Sequence, residues 1–285
     1  MRNSQEYKYA AVVVLYHPDE KVISNIRSYS GNLERIYVID NSESANEKLI
    51  RKLKETDHIW YLWNQGNLGL AAALNQGCRK AFGEGMDYVF TMDQDSIFRK
   101  GSVESMISYV EKNPGRIVAA PFIVPYYDTV PALNGAETEK TRSVKFAITS
   151  GMLESRAAYE EVHGFDDDLF IECIDVDFCI NLSIKKWKLV KTEGAVLYQR
   201  AGNSEPRKFL WKVIHPLFDN PVRGYYKFRN KKFLRKKYGR ILYQFTPGLF
   251  EAVLKTLLYE PDKLIRFQYY LKGYMDGAKG KMGRI

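Results

Sequence analysis

Short apolar runs alternate with segments of helical spacing along the first third of the chain. Residues 9–16, YAAVVVLY, form a continuous apolar run with a β-branched centre, which is typical of a strand buried on both faces. Similar runs follow at 35–39, 59–63 and 88–92. The segments between them predict helices at 19–29, at about 45–55 and from about Leu68 onward. Because strands that alternate with helices build parallel sheets, we predict an α/β, Rossmann-like fold with a mostly parallel, doubly wound sheet.

Each of the four predicted strands ends in polar residues. The clusters are His17, Asp40-Asn41-Ser42, Asn64 to Asn67, and Asp93 to Ser96. In an open parallel sheet, ligands bind beyond the carboxyl ends of the strands. The polarity of ordinary loops explains any one cluster, but four clusters at one sheet edge favour a ligand-binding crevice.

The rest of the chain divides into a mixed middle part and a C-terminal part of different character. The middle part predicts strands at about 117–125, 143–150 and 188–197, and helices near 155–161 and 175–186. From about residue 203 onward, helical, aromatic and basic segments alternate. We therefore predict one domain over residues 1–202 and a mainly helical, basic C-terminal extension over residues 203–285.

Charge is distributed unevenly between these two parts. Residues 1–202 contain 24 basic and 28 acidic residues, a net charge of −4. Residues 203–285 contain 19 basic and 6 acidic residues, a net charge of +13. A surface this basic favours phosphate groups as partners, whether on nucleic acid, lipid headgroups or a charged ligand.

Composition excludes several classes of protein. A hydrophobic content of 45% can support a core, which excludes wholesale disorder. Cys78, Cys173 and Cys179 fit neither a disulfide framework nor a zinc site. Neither a secretory signal nor a run of about 18 uncharged apolar residues is visible, so we expect a cytoplasmic protein without a membrane-spanning helix.

Three groups of carboxylates are candidates for chemistry. Asp93 and Asp95 follow a buried strand and can both bind a hard cation such as Mg²⁺ or Mn²⁺. Asp40 ends the second strand, where it can accept a hydrogen bond from a base or a ribose hydroxyl, or form an Asx turn. Asp175 and Asp177 stand at a predicted helix start, where capping is the simpler explanation and general-base catalysis is the alternative.

Together, five segments in this order resemble the family-2 inverting nucleotide-sugar glycosyltransferases of the GT-A fold. They are VVVLYHP, VIDNS, NQGNLGLAAALNQG, DQDS and SGMLESRAAYEEVHGFDDDLFIECIDVDFCINL. The segments RGYYKFRN at 223–230 and YMDGAKGKMG at 274–283 are similar to the bacterial rhamnosyltransferase-like branch, which builds surface polysaccharides. The resemblance therefore covers nearly the whole chain.

The resemblance implies roles for individual residues. Asp40 would contact the nucleotide base, and Asp93 and Asp95 would form the DXD motif that holds a metal ion and the donor diphosphate. Asp175 would be the general base that deprotonates an acceptor sugar hydroxyl, so that a single displacement inverts the configuration. The other residues expected at the nucleotide-sugar site are His17, Asn41, Asn64, Gly66, Asn67, Gly69, Asn75 and Gln94, with Arg223 and Arg229 at the diphosphate or an anionic acceptor.

One segment departs from the family pattern. Relatives often have His-x-x-Gly after the last strand of the sheet, whereas this chain has Tyr198-Gln199-Arg200-Ala201-Gly202. His215 is the candidate substitute as a metal ligand, and a packed or surface histidine is the alternative. Mg²⁺ or Mn²⁺ is the expected cofactor.

The basic C-terminal part is open to three interpretations. Residues 208–240 contain 11 basic residues and one acidic residue, with aromatic residues between them. Apolar residues then follow at helical spacing: Leu242, Phe245, Leu249, Val253 and Leu257, with Phe250 and Leu254 beside them. A basic stretch with an amphipathic helix is typical of a protein that lies on an anionic membrane surface. A solvated face with a core-packing helix is the alternative, and a homodimer is also open.

The function expected from these observations is glycosyl transfer. The leading donor is dTDP-rhamnose, with L-rhamnose moved to a lipid-linked or polysaccharide acceptor, and a UDP-hexose or UDP-galactofuranose donor is the alternative. From a different class, a non-catalytic basic protein that binds anionic lipid or nucleic acid is the competing hypothesis. Nucleic-acid binding is disfavoured because no RNP, KH or helix-turn-helix pattern is evident.

Overall fold

The computed structural model describes residues 7–56, 58–127, 139–200, 207–209, 212–214 and 220–285. The strands are β1 (Tyr9–Leu15), β2 (Arg35–Asp40), β3 (Ile59–Trp63), β4 (Tyr88–Asp93), β5 (Ser96–Phe98), β6 (Ile117–Tyr126), β7 (Arg142–Val144), β8 (Met152–Ser155), β9 (Lys188–Arg200), β10 (Arg207–Phe209) and β11 (Lys212–Ile214). The α-helices are α1 (Lys21–Arg27), α2 (Glu47–Lys54), α3 (Leu70–Gly83), α4 (Ser102–Lys112), α5 (Arg156–Glu161), α6 (Ile174–Ile184), α7 (Pro221–Tyr238), α8 (Leu249–Tyr259) and α9 (Lys263–Lys279). Short 3-10 helices form at Ser30–Asn32, Asp167–Leu169 and Gly239–Gln244.

The main sheet confirms the predicted mostly parallel α/β topology. Its order is β3-β2-β1-β4-β8-β6-β9-β5, with β7 also paired to β9. Strands β1 to β4 pair in parallel, as do β6 and β9, whereas β5, β7 and β8 run in the opposite direction. Because β1 lies between β2 and β4, the carboxyl ends of these three strands lie side by side.

Helices cover both faces of this sheet, which explains the continuous apolar run of β1. Alternate β1 residues belong to two different cores, with Ala10 and Val12 in one and Ala11 and Val13 in the other. Helices α3, α5 and α6 pack on the first face, and α1, α2 and α4 pack on the second. A strand enclosed on both sides requires apolar residues at every position.

Differences from the sequence predictions concern short antiparallel strands. The predicted strand at 143–150 contributes only β7, and the separate strand β8 begins at Met152. Strands β5 and β8 were not predicted, because three or four residues are too few to show an alternating pattern. The expected mainly helical extension also includes the β10–β11 hairpin.

Helix α7 and the Gly239–Gln244 helix pack on the core around α3 and α6, and α7 packs closely against α9. Leu234, Leu242 and Phe245 belong to the same core as α3 and α6. On α9, a Cβ added at Gly273 or Gly277 would lie 2.3 Å from a backbone carbonyl oxygen of α7. These glycines therefore allow α7 and α9 to touch backbone to backbone. None of the described helices has the length and apolarity needed to cross a membrane.

A buried carboxyl lies in the core between β8 and α3. Glu154 is fully buried, its Oε1 accepts a hydrogen bond from the Cys78 thiol at 3.6 Å, and its Oε2 has no partner among the described residues. The three cysteines are all free and buried. Burial raises the pKa of Glu154 to about 8, above its ordinary value of 4.5.

We expect Glu154→Gln to stabilise the protein at neutral and alkaline pH. The folded protein keeps a proton on Glu154 that the unfolded chain releases, so this residue lowers stability as pH rises from about 4.5 to 8. Glutamine removes that dependence, for an expected gain of about 1–3 kcal/mol at pH 7.5 and little gain at pH 5. Urea unfolding of both proteins at the two pH values measures the difference, and an equal gain at both would contradict it.

Candidate active site

The DXD segment lies where β4 ends, and the neighbouring β1 fixes its position. The Gln94 side chain accepts a hydrogen bond from the Tyr16 N–H at 2.8 Å and donates one to the Tyr16 carbonyl at 3.1 Å. The Gln94 carbonyl accepts another from Asn25 Nδ2 at 2.7 Å. Gln94 thus ties the turn between Asp93 and Asp95 to the end of β1, which is a positioning role.

Three carboxylates converge at this edge of the sheet. The negative charges of Asp95 and Asp175 act on Asp93, and together with burial, the larger cause, they raise the pKa of Asp93 to about 7. Burial also raises the pKa of Asp95. Gln199 Nε2 opposes this effect by donating to Asp93 Oδ2 at 2.9 Å. The structure thus brings together the carboxylates expected to hold a metal ion and to act as a base.

Asp175 lies in the first turn of α6, after a loop of strained backbone. Phe170, Glu172 and Cys173 all have positive φ angles, between 61° and 68°, a region that bulky side chains seldom adopt. Asp175 Oδ1 accepts the Val176 N–H at 2.8 Å. Burial, with a smaller effect from the charge of Glu172, raises the pKa of Asp175 to about 6. A carboxylate with a pKa near neutrality is suited to accept a proton.

Asn230 of α7 holds this loop in place. Its Nδ2 atom lies 2.9, 2.7 and 2.7 Å from the carbonyl oxygens of Leu169, Ile171 and Glu172. The Phe170 ring also stacks on Tyr226 of α7, with centroids 5.1 Å apart. Helix α7 therefore fixes the loop that leads to Asp175.

Arg229, the neighbour of Asn230, has a structural role in place of the expected contact with a diphosphate. Its side chain is fully buried, and Nη2 donates to the carbonyls of Leu169 at 2.9 Å and Asp168 at 3.2 Å. Nη1 donates to the carbonyl of Gly283. A guanidinium enclosed in this way cannot reach a ligand without unfolding its surroundings.

Arg223, nearer the start of α7, does lie at the site. Its side chain is 49% exposed, and its Nη2 and Nε atoms lie 2.6 and 2.8 Å from Glu172 Oε1. Its positive charge lowers the pKa of Asp93, against the effects of burial and of Asp95. The position of Arg223 is compatible with contact to a diphosphate, and that contact stays a prediction.

Asp40 is buried and already engaged by the protein. Its Oδ1 accepts the Ser42 N–H at 2.9 Å, which is the Asx turn considered as an alternative. Its Oδ2 accepts the Tyr61 hydroxyl at 2.7 Å. The carboxylate is thus oriented at the end of β2, and contact with a nucleotide base stays a prediction.

The turn from Asn64 to Gly69 packs against the loop before Asp175. Asn64 Nδ2 donates to Asn41 Oδ1 at 2.8 Å, Asn41 Nδ2 donates to the Gly69 carbonyl at 3.0 Å, and Asn67 Oδ1 accepts the Gly69 N–H at 2.9 Å. Gly69 has φ 93°, and a Cβ there would lie 2.6 Å from the Phe170 ring. Only glycine fits this position, so the turn and the loop are fixed relative to each other.

Asn75 supports the site from below and does not reach the crevice. It is 3% exposed, and its Nδ2 donates to the Phe165 carbonyl and to Asp167 Oδ1, both at 2.7 Å. Its Oδ1 accepts the Tyr159 hydroxyl at 2.7 Å and the Phe165 N–H at 3.0 Å. Because protein groups use all of its hydrogen bonds, Asn75 positions the 164–168 loop rather than a nucleotide sugar.

A cavity of about 430 Å³ opens beside Asp95. His17 lines it with a half-exposed side chain, whose Nε2 lies 3.0 Å from Glu43 Oε2. The other polar residues of the lining, besides Asp95, are Asp19, Lys21, Ser24, Asn25, Gln94, Tyr126 and Arg200. The cavity offers both charge signs next to the DXD segment, which suits a charged ligand.

The DXD segment offers two carboxylates, those of Asp93 and Asp95, as oxygen donors to a divalent metal ion. A cation would relieve the repulsion that raises the pKa of Asp93. Within the part of the chain that the structure describes, no group of three or more His, Cys, Asp or Glu side chains is arranged for a metal ion. His215, the predicted further ligand, lies outside the described residues.

Two residues at the site were missed by sequence reasoning. Gln199 stands three residues before Gly202, at the histidine position of His-x-x-Gly, so the departure from the family pattern was itself the signal. Glu172 lies in the segment that begins SGMLES. Its ion pair with Arg223 joins residues 51 positions apart, so no local sequence pattern indicates it.

Comparison with known proteins shows the family to which this chain belongs. The sequence model described as glycosyl transferase family 2 matches residues 20–169, more than half of the chain, and the chain therefore belongs to this family of glycosyltransferases. It is 25% identical to the dTDP-rhamnosyl transferase RfbF of Shigella flexneri, over 96% of each chain. It is also 26% identical to the poly-beta-1,6-N-acetyl-D-glucosamine synthase of Staphylococcus aureus, over 57% of this chain and 42% of the synthase.

Solved structures confirm the GT-A fold. The structure of GalNAc-T7 with UDP, GalNAc and Mn²⁺ matches 97% of this chain with a TM-score of 0.62 at 13% identity, and the chain spans 57% of that protein. Staphylococcus aureus TarS 1-349 with UDP-GlcNAc matches 96% of this chain with a TM-score of 0.56 at 9% identity, over 73% of that structure. At these identities, the matches establish the fold.

Proposed function

We propose that this glycosyltransferase moves L-rhamnose from dTDP-rhamnose to a sugar hydroxyl, with inversion of configuration. The observation that carries the proposal is the placement of Asp175 beside Asp93 and Asp95 at one sheet edge. The similarity to a dTDP-rhamnosyl transferase over nearly the full length of both chains supports the donor. UDP-sugars are the second candidate donors, because the two structural matches hold UDP or UDP-GlcNAc.

The proposed chemistry is a single displacement in which Asp175 is the base. Asp175, ionised above a pKa of about 6, accepts the proton of the acceptor hydroxyl. The hydroxyl oxygen then attacks the anomeric carbon, and the bond from this carbon to the nucleotide diphosphate breaks. Attack from the opposite face inverts the configuration in one displacement. The strained loop and Asn230 hold Asp175 in position, which lowers the entropic cost of the step.

We propose Mg²⁺ or Mn²⁺ as the cofactor, held by Asp93 and Asp95. When bound, the ion supplies positive charge that stabilises a diphosphate leaving group. Arg223 adds a second positive charge on the α7 side of the site, where its charge already reaches Asp93. Gln199 restrains the Asp93 carboxylate and keeps it at the sheet edge.

The acceptor that we propose is a lipid-linked or polysaccharide sugar at an anionic membrane surface, on the cytoplasmic side. The net charge of +13 in residues 203–285 supports this, because such a region is attracted to anionic headgroups. Helices α8 and α9 of the same region also expose apolar side chains. This placement would bring the crevice close to an acceptor anchored in the membrane.

Ligand-induced stabilisation tests the donor and the metal site together. We expect dTDP-rhamnose, dTDP or a UDP-sugar to raise the unfolding temperature in the presence of Mn²⁺, since a ligand at about 100 times its Kd stabilises by about 2.7 kcal/mol. Asp95→Asn should abolish most of this shift, whereas Glu104→Gln, which removes an exposed charge on α4, should keep it. If no dTDP or UDP compound stabilises the wild type with Mn²⁺, the proposed function is wrong.

A further inference from the structure

A second cavity lies in the C-terminal extension, and the described residues that line it differ from those that line the cavity beside Asp95. It has a volume of about 240 Å³ and lies between α7, the Gly239–Gln244 helix and the start of α8. Three basic side chains of α7 line it: Lys231, Lys232 and Arg235. Its other walls are apolar or aromatic, including Leu242, Tyr243 and Tyr274. A small cavity with three cations and apolar walls suits an anionic group attached to an apolar chain.

The cations of this cavity retain unused capacity for an anion. Arg235 Nη1 is buried and has no hydrogen-bond partner among the described residues. Its guanidinium lies over the Tyr243 ring, 4.8 Å from the centroid. Lys232 Nζ donates to the Tyr274 hydroxyl at 3.0 Å, a neutral acceptor. A buried guanidinium N–H without an acceptor is costly, and a phosphate oxygen would satisfy it.

Lys231 completes the cluster from a more enclosed position. It is 7% exposed, and its Nζ donates to the Pro247 carbonyl at 2.7 Å. Burial lowers the pKa of Lys231, and the charges of Glu172 and of Glu251, in the first turn of α8, partly oppose this effect. Three cations and no carboxylate stand among the described residues that line the cavity, so its wall is positively charged.

An apolar surface adjoins the cavity. Helix α8, whose first residue Leu249 lines the cavity, exposes Phe250, Leu254 and Leu257 along one face, with Phe250 75% exposed. On α9, Leu264 and Leu271 are exposed as well. Large apolar side chains exposed along one face of a helix, as on α8, mark an interaction surface.

We propose that this cavity binds the headgroup phosphate of an anionic membrane phospholipid while the exposed face of α8 lies in the membrane interface. The proposal deepens the membrane association proposed above by giving it a site. Charge decides between a bilayer and a second copy of the chain. A symmetric dimer through this face would bring two regions of charge +13 together, whereas a bilayer supplies phosphates and an apolar layer.

Vesicle sedimentation with matched charge variants tests the site. Lys232→Gln/Arg235→Gln removes two charges from the cavity, and Lys100→Gln/Lys112→Gln removes two exposed charges from the first domain. At about fivefold per basic residue, the cavity variant should bind phosphatidylglycerol-containing vesicles roughly 25-fold more weakly, and the control should match the wild type. Leu254→Ser/Leu257→Ser should weaken the binding further. Thermal unfolding of each variant checks that it folds.

Several outcomes would overturn the site. The cavity and control variants could bind the vesicles equally well. The wild type could bind phosphatidylcholine vesicles as well as phosphatidylglycerol-containing ones, or it could bind no vesicles. A stabilising effect of inorganic phosphate without vesicle binding would identify a free-phosphate site and reject the lipid. Light scattering that shows a dimer dependent on Leu254, without vesicle binding, would assign the face to a second copy. Donor binding is measured without vesicles, so it stays a separate test of the proposed function.

Discussion

Asp175→Asn should reduce the rate of glycosyl transfer by about 10²–10⁴-fold while changing donor affinity little. Asparagine has the shape of aspartate but cannot accept the proton of the acceptor hydroxyl. In the wild type, kcat/KM should fall as pH drops below about 6, because protonation of Asp175 removes the base. Steady-state kinetics of wild type and variant between pH 5 and 8 measure both effects.

Asp177→Asn is the matched control for this experiment. Asp177 lies two residues further along α6, and its Oδ1 accepts hydrogen bonds from Lys237 at 2.9 Å and Tyr238 at 2.7 Å. These hydrogen bonds give it a structural role, so its variant should lose stability and keep most of its rate once folded. If Asp175→Asn retained the wild-type rate, or Asp177→Asn showed the larger catalytic loss, Asp175 would not be the base.

Arg229→Ala should cost about 3–5 kcal/mol of unfolding free energy, because it leaves buried carbonyl oxygens without their charged donor. Leu169 and Gly283 carry two of these carbonyl oxygens. In this variant, Asn230 alone of the two neighbours would still bind the loop before Asp175. Because the loop would be held less firmly, activity at a permissive temperature should fall as well. Urea unfolding gives the free energy, and transfer assays below the unfolding transition give the activity.

Two further variants separate the geometry of Arg229 from its charge. Arg229→Lys keeps the charge but loses the planar fork of donors, so its stability should lie between those of Arg229→Ala and the wild type. Arg223→Ala removes a half-exposed arginine from the same helix and should cost less than about 1 kcal/mol. Equal losses for Arg223→Ala and Arg229→Ala would contradict the buried, structural role of Arg229.

The parallel half of the fold could be predicted from sequence because its signals are local. Each of β1 to β4 is a short apolar run, and enclosure between two helical layers accounts for its pattern. The DXD segment was placed by the same reasoning, since Asp93 ends β4. The short strands β5 and β8 were not predicted, because they form through pairing with strands distant in sequence and show no strand pattern of their own.

Residue roles were harder to predict because they depend on burial and on distant partners. Arg229 and Arg223 lie in one motif and looked equivalent, yet one is enclosed against Leu169 and the other is half exposed beside Glu172. The sequence around Asn75 likewise does not indicate that protein groups, mostly in loop 164–168, use all the hydrogen bonds of this side chain. The apolar residues at helical spacing from Leu242 onward also differ in burial, since Leu242 lies in the core and Leu257 is exposed.

The close approach of α7 and α9 has a consequence for the tolerance of this chain to mutation. At Gly273 and Gly277, even the methyl group of alanine would overlap a backbone carbonyl of α7. A library of variants selected only for folding should therefore keep glycine at both positions. Exposed apolar positions on the same helix, such as Leu264 and Leu271, should accept polar residues in that selection. Loss of those variants when the library is selected on membranes instead would separate the residues needed for folding from those needed for attachment.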